Sequence, residues 1–263
     1  MDTTIKEDLL HTKPAPCVEE IRNNSTTAPF QIIRYRQLIV SVLLLIAVLF
    51  VMDSTDLDMA FQRQLYQDGA WLVDHTQATL RLFAYQAPRS LLLFYAVVML
   101  IVLCLSCFFT PFRKFGTRKN VFILLCLLLV PLVVAITKKL THVHCPYELQ
   151  EFGGTIPYVS LFTANKVENL GRCFPAGHPS GGFALLLFVM IATTRRQQMV
   201  ALAGGLVLGG IMSSYQMLNG RHTLGHTLTT LLLAWIIVLL VHYMLFGRQQ
   251  NATLKGLAPN AKD

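Results

Sequence analysis

An all-α integral-membrane bundle of six spans, with a short outer-face loop region, is the fold class that three features of this chain predict. Apolar residues make up 54% of its 263 positions and charged residues only 14%, whereas a soluble domain carries about 25% charge. Mean hydropathy is +0.51. The apolar residues fall in runs that approach the roughly 20 residues a bilayer crossing takes. The basic residues gather in short segments between those runs, as topology signals do. The net charge of +8 is therefore read as a membrane signature, and no nucleic-acid partner is expected.

Taken in order, residues 1–30 are polar, carry Pro14, Pro16 and Pro29, and show no apolar periodicity. Such a segment buries too little apolar surface to offset its ordering entropy and reads as a flexible cytoplasmic tail. It lacks the pattern of a signal peptide. A membrane domain is expected over 31–247, with spans at Gln37–Met52, Arg89–Phe109, Val121–Thr137, Gly182–Thr194, Met199–Leu218 and Leu224–Phe246. The fourth is short and starts inside a Gly-rich turn. A second cytoplasmic tail is expected over 248–263. Arg22, Arg34 and Arg36 precede the first span, and Arg113, Lys114, Arg118 and Lys119 separate the second from the third. Arg195 and Arg196 divide the fourth from the fifth, and Arg248 follows the sixth. With both termini cytoplasmic, every one of these groups falls inside.

The long outer loop over 53–88 carries Phe61, Leu65, Trp71, Leu72, Leu80, Leu82 and Phe83. These suit one side of interfacial helices with Tyr66 and Trp71 as headgroup anchors, and a small solvated cap is the alternative. Among the cysteines, Cys17 falls in the reducing cytoplasm and Cys104, Cys107 and Cys126 in the bilayer. Cys145 and Cys173 remain, both on the outer face, and an oxidising compartment there would bond them. Closing a loop of about 28 residues would then contribute roughly 3 kcal/mol by chain-entropy arguments.

Three turns at the ends of apolar runs carry the chemistry: Lys138 to Pro146, Cys173 to Ala184, and Gly220 to His226. His75, His142, His144, His178, His222 and His226 all fall on the outer face. His178 lies in Pro-Ala-Gly-His, where Gly177 permits close backbone approach to a ligand. His222 and His226 are four apart and project from one helix face. Phosphoryl transfer requires a nucleophile, an acid for the leaving oxygen, and cations or N–H groups around the equatorial oxygens. Lys138, Lys139, Arg172 and Arg221 are the candidate cations. A zinc site built from His142, His144, His178, His222 and His226 would want three or four ligands, but no Glu stands beside the His222/His226 pair. No metal and no cofactor are inferred.

In these residues the chain resembles the type-2 phosphatidic-acid phosphatase superfamily. That pattern runs Lys, six residues, Arg-Pro; then Pro-Ser-Gly-His; then Ser-Arg, five residues, His, three residues, Asp. Here Lys138 is followed after six residues by Cys145-Pro146, and the second piece is Pro175-Ala176-Gly177-His178. The third is Tyr215-Gln216, five residues, His222, three residues, His226. The likeness covers roughly Lys138 to Ala234. It implies that His222 attacks phosphorus to form a phosphohistidine, that His178 protonates the leaving oxygen, and that Lys138 binds phosphate oxygens without a metal. The departures are Cys145 and Gln216 for the family's arginines, Ala176 for its serine, and His226 for its aspartate. A neutral His226 would orient His222 in place of the carboxylate. Arg172 and Arg221 would supply the missing charge, with Lys139, Gly177 and Gln216 completing the phosphate site.

The expected function is a lipid-phosphate phosphatase acting on a phosphomonoester or pyrophosphate. Two alternatives stand beside it: a phosphotransferase passing the group to a lipid A-type or sugar-lipid acceptor, and a non-catalytic lipid-binding or transport relative. The expected partners are the lipid phosphate and the bilayer, with no obligate protein partner. The expected location is a bacterial inner membrane with the site facing the periplasm.

Overall fold

The structure, a computed structural model, describes residues 35–162 and 171–256. The expected tail over 1–30, with Cys17 and Arg22, the neighbouring Arg34, and residues 257–263 lie outside the described residues. Five long helices dominate: α1 (Tyr35–Ser54), α4 (Ala87–Phe108), α5 (Arg118–Thr141), α8 (Arg195–Leu218) and α9 (Leu224–Gly256). A short α3 (Ala78–Arg81) runs into α4 through a π-helical turn over Leu82–Gln86. Among the described residues, five helices are long and apolar enough to cross a membrane. The outward faces of α1 and α4 expose Ile39, Leu43, Phe50, Leu91 and Phe94, which suits hydrocarbon and not water.

The expected fourth span is not a full-length helix. Residues predicted to cross as Gly182–Thr194 form two pieces, α6 (Ser180–Ala184) and α7 (Leu187–Ile191). At 1.5 Å per residue they cover about 18 Å, against a hydrocarbon core of about 30 Å. Two adjacent glycines in the first turn weaken the helix. They are tolerated because α6 is wedged against α8: a Cβ on Gly182 would lie 2.7 Å from the Gly209 Cα. Among the described residues the bundle is thus five long helices packed with one short, broken one, which starts in the Gly-rich turn as expected.

The core follows from helical periodicity. On α5, Phe122, Cys126, Val130 and Val134 are each wholly buried and four residues apart, one stripe of an α-helix. They meet Phe183, Ala184 and Leu187 of α6 and α7, and Ala234 and Val238 of α9. Thr194 opens α8 with a reciprocal capping box to Gln197, satisfying two backbone donors that a helix start leaves open.

Between α1 and α3 the chain forms a small cap, and Leu72, Leu80, Leu82 and Phe83 in and beside it are exposed. It consists of α2 (Leu57–Leu65) and a two-stranded hairpin, β1 (Tyr66–Gln67) and β2 (Ala70–Trp71). Asp68 and Gly69 both have positive φ, the Asp-Gly turn that suits a two-residue hairpin. The rings of Tyr66 and Trp71 pack on each other at 5.0 Å and on Phe152 at 5.5 and 5.2 Å. Met59 and Leu149 close this second, smaller core.

Candidate active site

The stripe that buries α5 determines which lysine enters the site. The next step of four after Val134 is Lys138, half-buried, while its neighbour Lys139 is turned about 100° away and exposed. The α5 helix ends at His142, whose φ of 55° is the left-handed closure of a helix C-terminus. Beyond it, Glu148 accepts from the Cys145 backbone N–H at 2.9 Å and pairs with His144 Nδ1 at 3.0 Å.

The turn carrying His178 is stitched to that segment. Cys145 and Cys173 are joined by a disulfide. The Cys173 backbone N–H donates to the Val143 carbonyl at 2.8 Å, and the Gly171 N–H to that of His142 at 3.1 Å. Thr141 Oγ1 donates to the Phe174 carbonyl. The Ala176 N–H reaches the His226 carbonyl at 3.3 Å, and Thr230 Oγ1 donates to the Ala176 carbonyl at 2.9 Å. Gly177 faces the Lys138 ammonium: a Cβ there would stand 3.8 Å from Nζ.

The third turn carries His222. Gln216 accepts at its carbonyl from the N–H groups of Arg221 and His222, at 2.8 and 3.2 Å. Tyr147 N–H donates to the Gly220 carbonyl at 3.0 Å, and the Arg221 guanidinium lies 4.6 Å above the Tyr147 ring. Gly220 sits at φ +70°, and a Cβ there would strike the Trp71 ring at 2.2 Å; only glycine serves this position.

The three turns bring three histidines into one row. Ring centroids are 5.7 Å apart for His178 and His222 and 5.8 Å for His222 and His226. The Tyr85 ring stands edge-on to His178 at 4.5 Å, and the Phe174 ring edge-on to His226 at 5.1 Å. No hydrogen bond links His222 to His226; the rings are held by packing. His222 Nδ1 is 3.5 Å from the Cys173 sulfur. A disulfide sulfur is a weak acceptor without a proton, so the contact favours a proton on Nδ1. His222 Nε2 is buried without a hydrogen-bond partner.

Burial, with the charges of Lys138, Arg89 and Arg221 behind it, pushes His178 down to about 4. His222 lies well below the usual histidine range, through burial first and then His226, Lys138, His178 and Arg221. Both rings are therefore neutral near pH 7.

A cavity of about 230 Å³ opens beside this row, lined by His178, Arg221, Gln216, Asn219 and Tyr215. The cap side of its wall adds Tyr85, Arg81 and His75. No carboxylate lines it, so it is an anion site by charge. Arg81 is a cation that sequence reasoning missed, since nothing local distinguishes it. Arg172 is exposed and lines neither this cavity nor a smaller one of about 50 Å³ beside His226, Asp58, His142 and His144. Lys139 lines neither, and Lys138 and His222 also lie behind the cavity walls: Lys138 reaches the site beside Gly177, and His222 stands next to His178.

Among the described residues, Cys173, His222 and His226 have metal-ligating atoms within 4.8 Å of one another. The Cys173 sulfur is committed to the disulfide, which leaves two imidazoles, fewer than a zinc site takes.

Two residues of the cap, also missed from sequence, touch the His222 turn. Asp58 accepts from Thr223 Oγ1 at 2.6 Å and from the Gly225 N–H at 2.7 Å, and Gln62 Nε2 donates to the His222 carbonyl at 3.0 Å.

The chain is 21% identical over 204 residues to a lipid A 4'-phosphatase of Francisella tularensis subsp. novicida (strain U112), covering 77% of this chain and 92% of that one. No solved structure matches. Residues 119–250, just over half the chain and the span that holds all three turns, match the PAP2 superfamily, and the chain belongs to that superfamily.

Proposed function

We propose that this protein is a metal-independent phosphatase that removes a phosphoryl group from a membrane lipid through a phosphohistidine. The observation that carries the reading is a buried, neutral His222 whose Nε2 is free, next to His178, which itself lines a cavity with Arg221 and Arg81 in its wall. In the first step the Nε2 lone pair forms the N–P bond as the bond from phosphorus to the lipid oxygen breaks. Lys138, Arg221 and Arg81 neutralise the phosphoryl oxygens, and the Gln216 side chain contributes a neutral donor where the family carries an arginine. His178 gives its proton to the leaving oxygen.

His178 can do so once substrate is bound. Burial first, and then the charges of Lys138, Arg89 and Arg221, depress it; a phosphate dianion offsets those charges and pairs with the protonated ring, so the ring takes up a proton as the anion arrives. In the second step neutral His178 removes a proton from water, the water oxygen attacks phosphorus, and the N–P bond breaks. His226 supports His222 by packing. The site is placed by this reading at the outer face of a bacterial inner membrane.

The relative named for lipid A supports putting a phosphorylated glycolipid first in a substrate panel, followed by glycerolipid phosphates and polyprenyl pyrophosphate. Purified protein should release inorganic phosphate from at least one of them, equally with and without EDTA. Label transferred to a second lipid would instead assign a phosphotransferase, and binding without turnover a non-catalytic relative.

A further inference from the structure

The family match begins at residue 119, yet the turn that carries His222 is gripped by a segment far upstream. Four contacts from the cap fall on successive parts of that turn. The Val73 N–H donates to the Leu218 carbonyl at 3.2 Å. Trp71 covers Gly220. Gln62 holds the His222 carbonyl at 3.0 Å, and Asp58 holds Thr223 and Gly225. The two polar side chains are deeply buried, Asp58 at 7% exposure and Gln62 at 0%.

Asp58 has the most specific geometry. One carboxylate oxygen accepts the Thr223 hydroxyl at 2.6 Å and the other the Gly225 N–H at 2.7 Å. The Thr223 oxygen in turn accepts the His226 N–H at 3.3 Å. A carboxylate from α2 thus caps the first turn of α9, a role normally filled by the residue that precedes a helix. Gly225 is required for it: a Cβ there would lie 2.6 Å from Asp58 Oδ2. Both of its hydrogen bonds go to residues between His222 and His226, so Asp58 bears on the histidines through where it holds the turn.

We infer that Asp58, through Thr223 and Gly225, is a positioning residue for phosphoryl transfer: it fixes the turn between His222 and His226 so that the free Nε2 meets phosphorus. The inference rests on the proposed function for the identity of the reaction. A displacement of about 1 Å at a reacting group costs on the order of 10²-fold in rate, and the clamp acts on the residue next to the nucleophile. Substrate affinity, set by the cations of the cavity, is not in its reach.

The test uses the full chain in detergent micelles. Asp58→Ala should lower kcat about 10²-fold with KM little changed, and Asp58→Asn, which keeps an acceptor for the Gly225 N–H, should recover part of that loss. Thr223→Val should lower kcat in the same manner and Thr223→Ser restore it. Because the two residues act as one unit, the double variant Asp58→Ala/Thr223→Val should be no slower than the slower single variant. A wild-type kcat in Asp58→Ala, a rise in KM with kcat intact, or losses that multiply in the double variant would each overturn the inference. If Asp58→Ala does not fold, Thr223→Val decides: a wild-type kcat there overturns it. A readout independent of turnover is the side-chain ¹⁵N shift of His222 in histidine-labelled protein, which should change in Thr223→Val; an unchanged shift counts against the clamp. If wild-type protein releases no phosphate from any lipid in the panel, the proposed function fails, and the ¹⁵N shift still decides whether Asp58 sets His222.

Discussion

Burial separates His178 and His222 from ordinary surface histidines, and it has a consequence for pH. An exposed or unfolded histidine titrates near 6.5, whereas His178 in the fold is pushed down to about 4 and His222 is also depressed. Above about pH 6.5 both rings are neutral in both states and pH has no leverage on them. Between about 6.5 and 4 the unfolded chain binds protons that the buried rings refuse, so stability falls as pH falls. Thermal unfolding should occur at lower temperature at pH 5 than at pH 7.5, and the difference should shrink in His178→Gln. An equal drop in His178→Gln would mean that His178 is not the group refusing the proton. Cations at the site separate just as sharply. Arg221 lines the cavity and Arg172 does not. A hydrogen bond to a charged group contributes about 1.5–3 kcal/mol, so Arg221→Ala should lower kcat/KM by about 10- to 150-fold and Arg172→Ala should leave it near wild type. Comparable losses in both would restore Arg172 to the site.

At the scale of elements, what was legible in the sequence is what is local. The stripe from Phe122 to Lys138 and the Thr194/Gln197 capping box are written in spacings of three and four residues. The Asp68-Gly69 hairpin was legible too, since Asp-Gly is a strong turn signal, but two-residue strands give no alternation to draw attention to it. Asp58 was not legible. Its partners are 165 and 167 residues away, and nothing around it distinguishes it from a solvated acid. The fourth span misled for a related reason. Its apolar run is real, but the division into two short helices, with Phe183, Ala184, Leu186 and Leu187 buried against neighbours, depends on distant packing. The disulfide links two of these elements, tying the end of α5 to the His178 turn over a separation of 28 residues. Cys145→Ser should cost about 3 kcal/mol, lowering the unfolding temperature by about 6–12 °C for a chain of this size. A melting curve superimposable on wild type would show that the bond contributes nothing to stability.

Over the whole molecule, Lys138, His178 and His222 gather at one end of the bundle because three helix ends are sewn together there. The basic residues Arg113 and Lys114 fall in the connection before α5, and Arg118, Arg195 and Arg196 in the first turns of α5 and α8, at the other helix ends. That separation is the basis for placing the site on the outer face. Single cysteines at Thr117, just before α5, and Gln197, in the first turn of α8, should resist an impermeant thiol reagent in intact cells, while one at Gln77, just before α3, should react. Labelling at Thr117 but not at Gln77 would invert the orientation. The long helices and the polarity of the connections were readable from composition alone. The cap that closes over the His222 turn was not, since its packing depends on residues brought together only by the finished bundle.

The account turns on His222 Nε2 accepting the phosphoryl group, and rapid acid-free quenching with ³²P-labelled lipid phosphate tests it most directly. In His178→Ala the loss of a general acid slows transfer by about 10²–10⁴-fold, and loss of the base that activates water slows the second step, so an acid-labile, base-stable phosphoryl adduct should accumulate on the protein. In His222→Ala no such adduct should form, although the protein should still fold and bind lipid. An adduct that persists in His222→Ala would contradict the account, because the phosphoryl group would then be carried by a different residue.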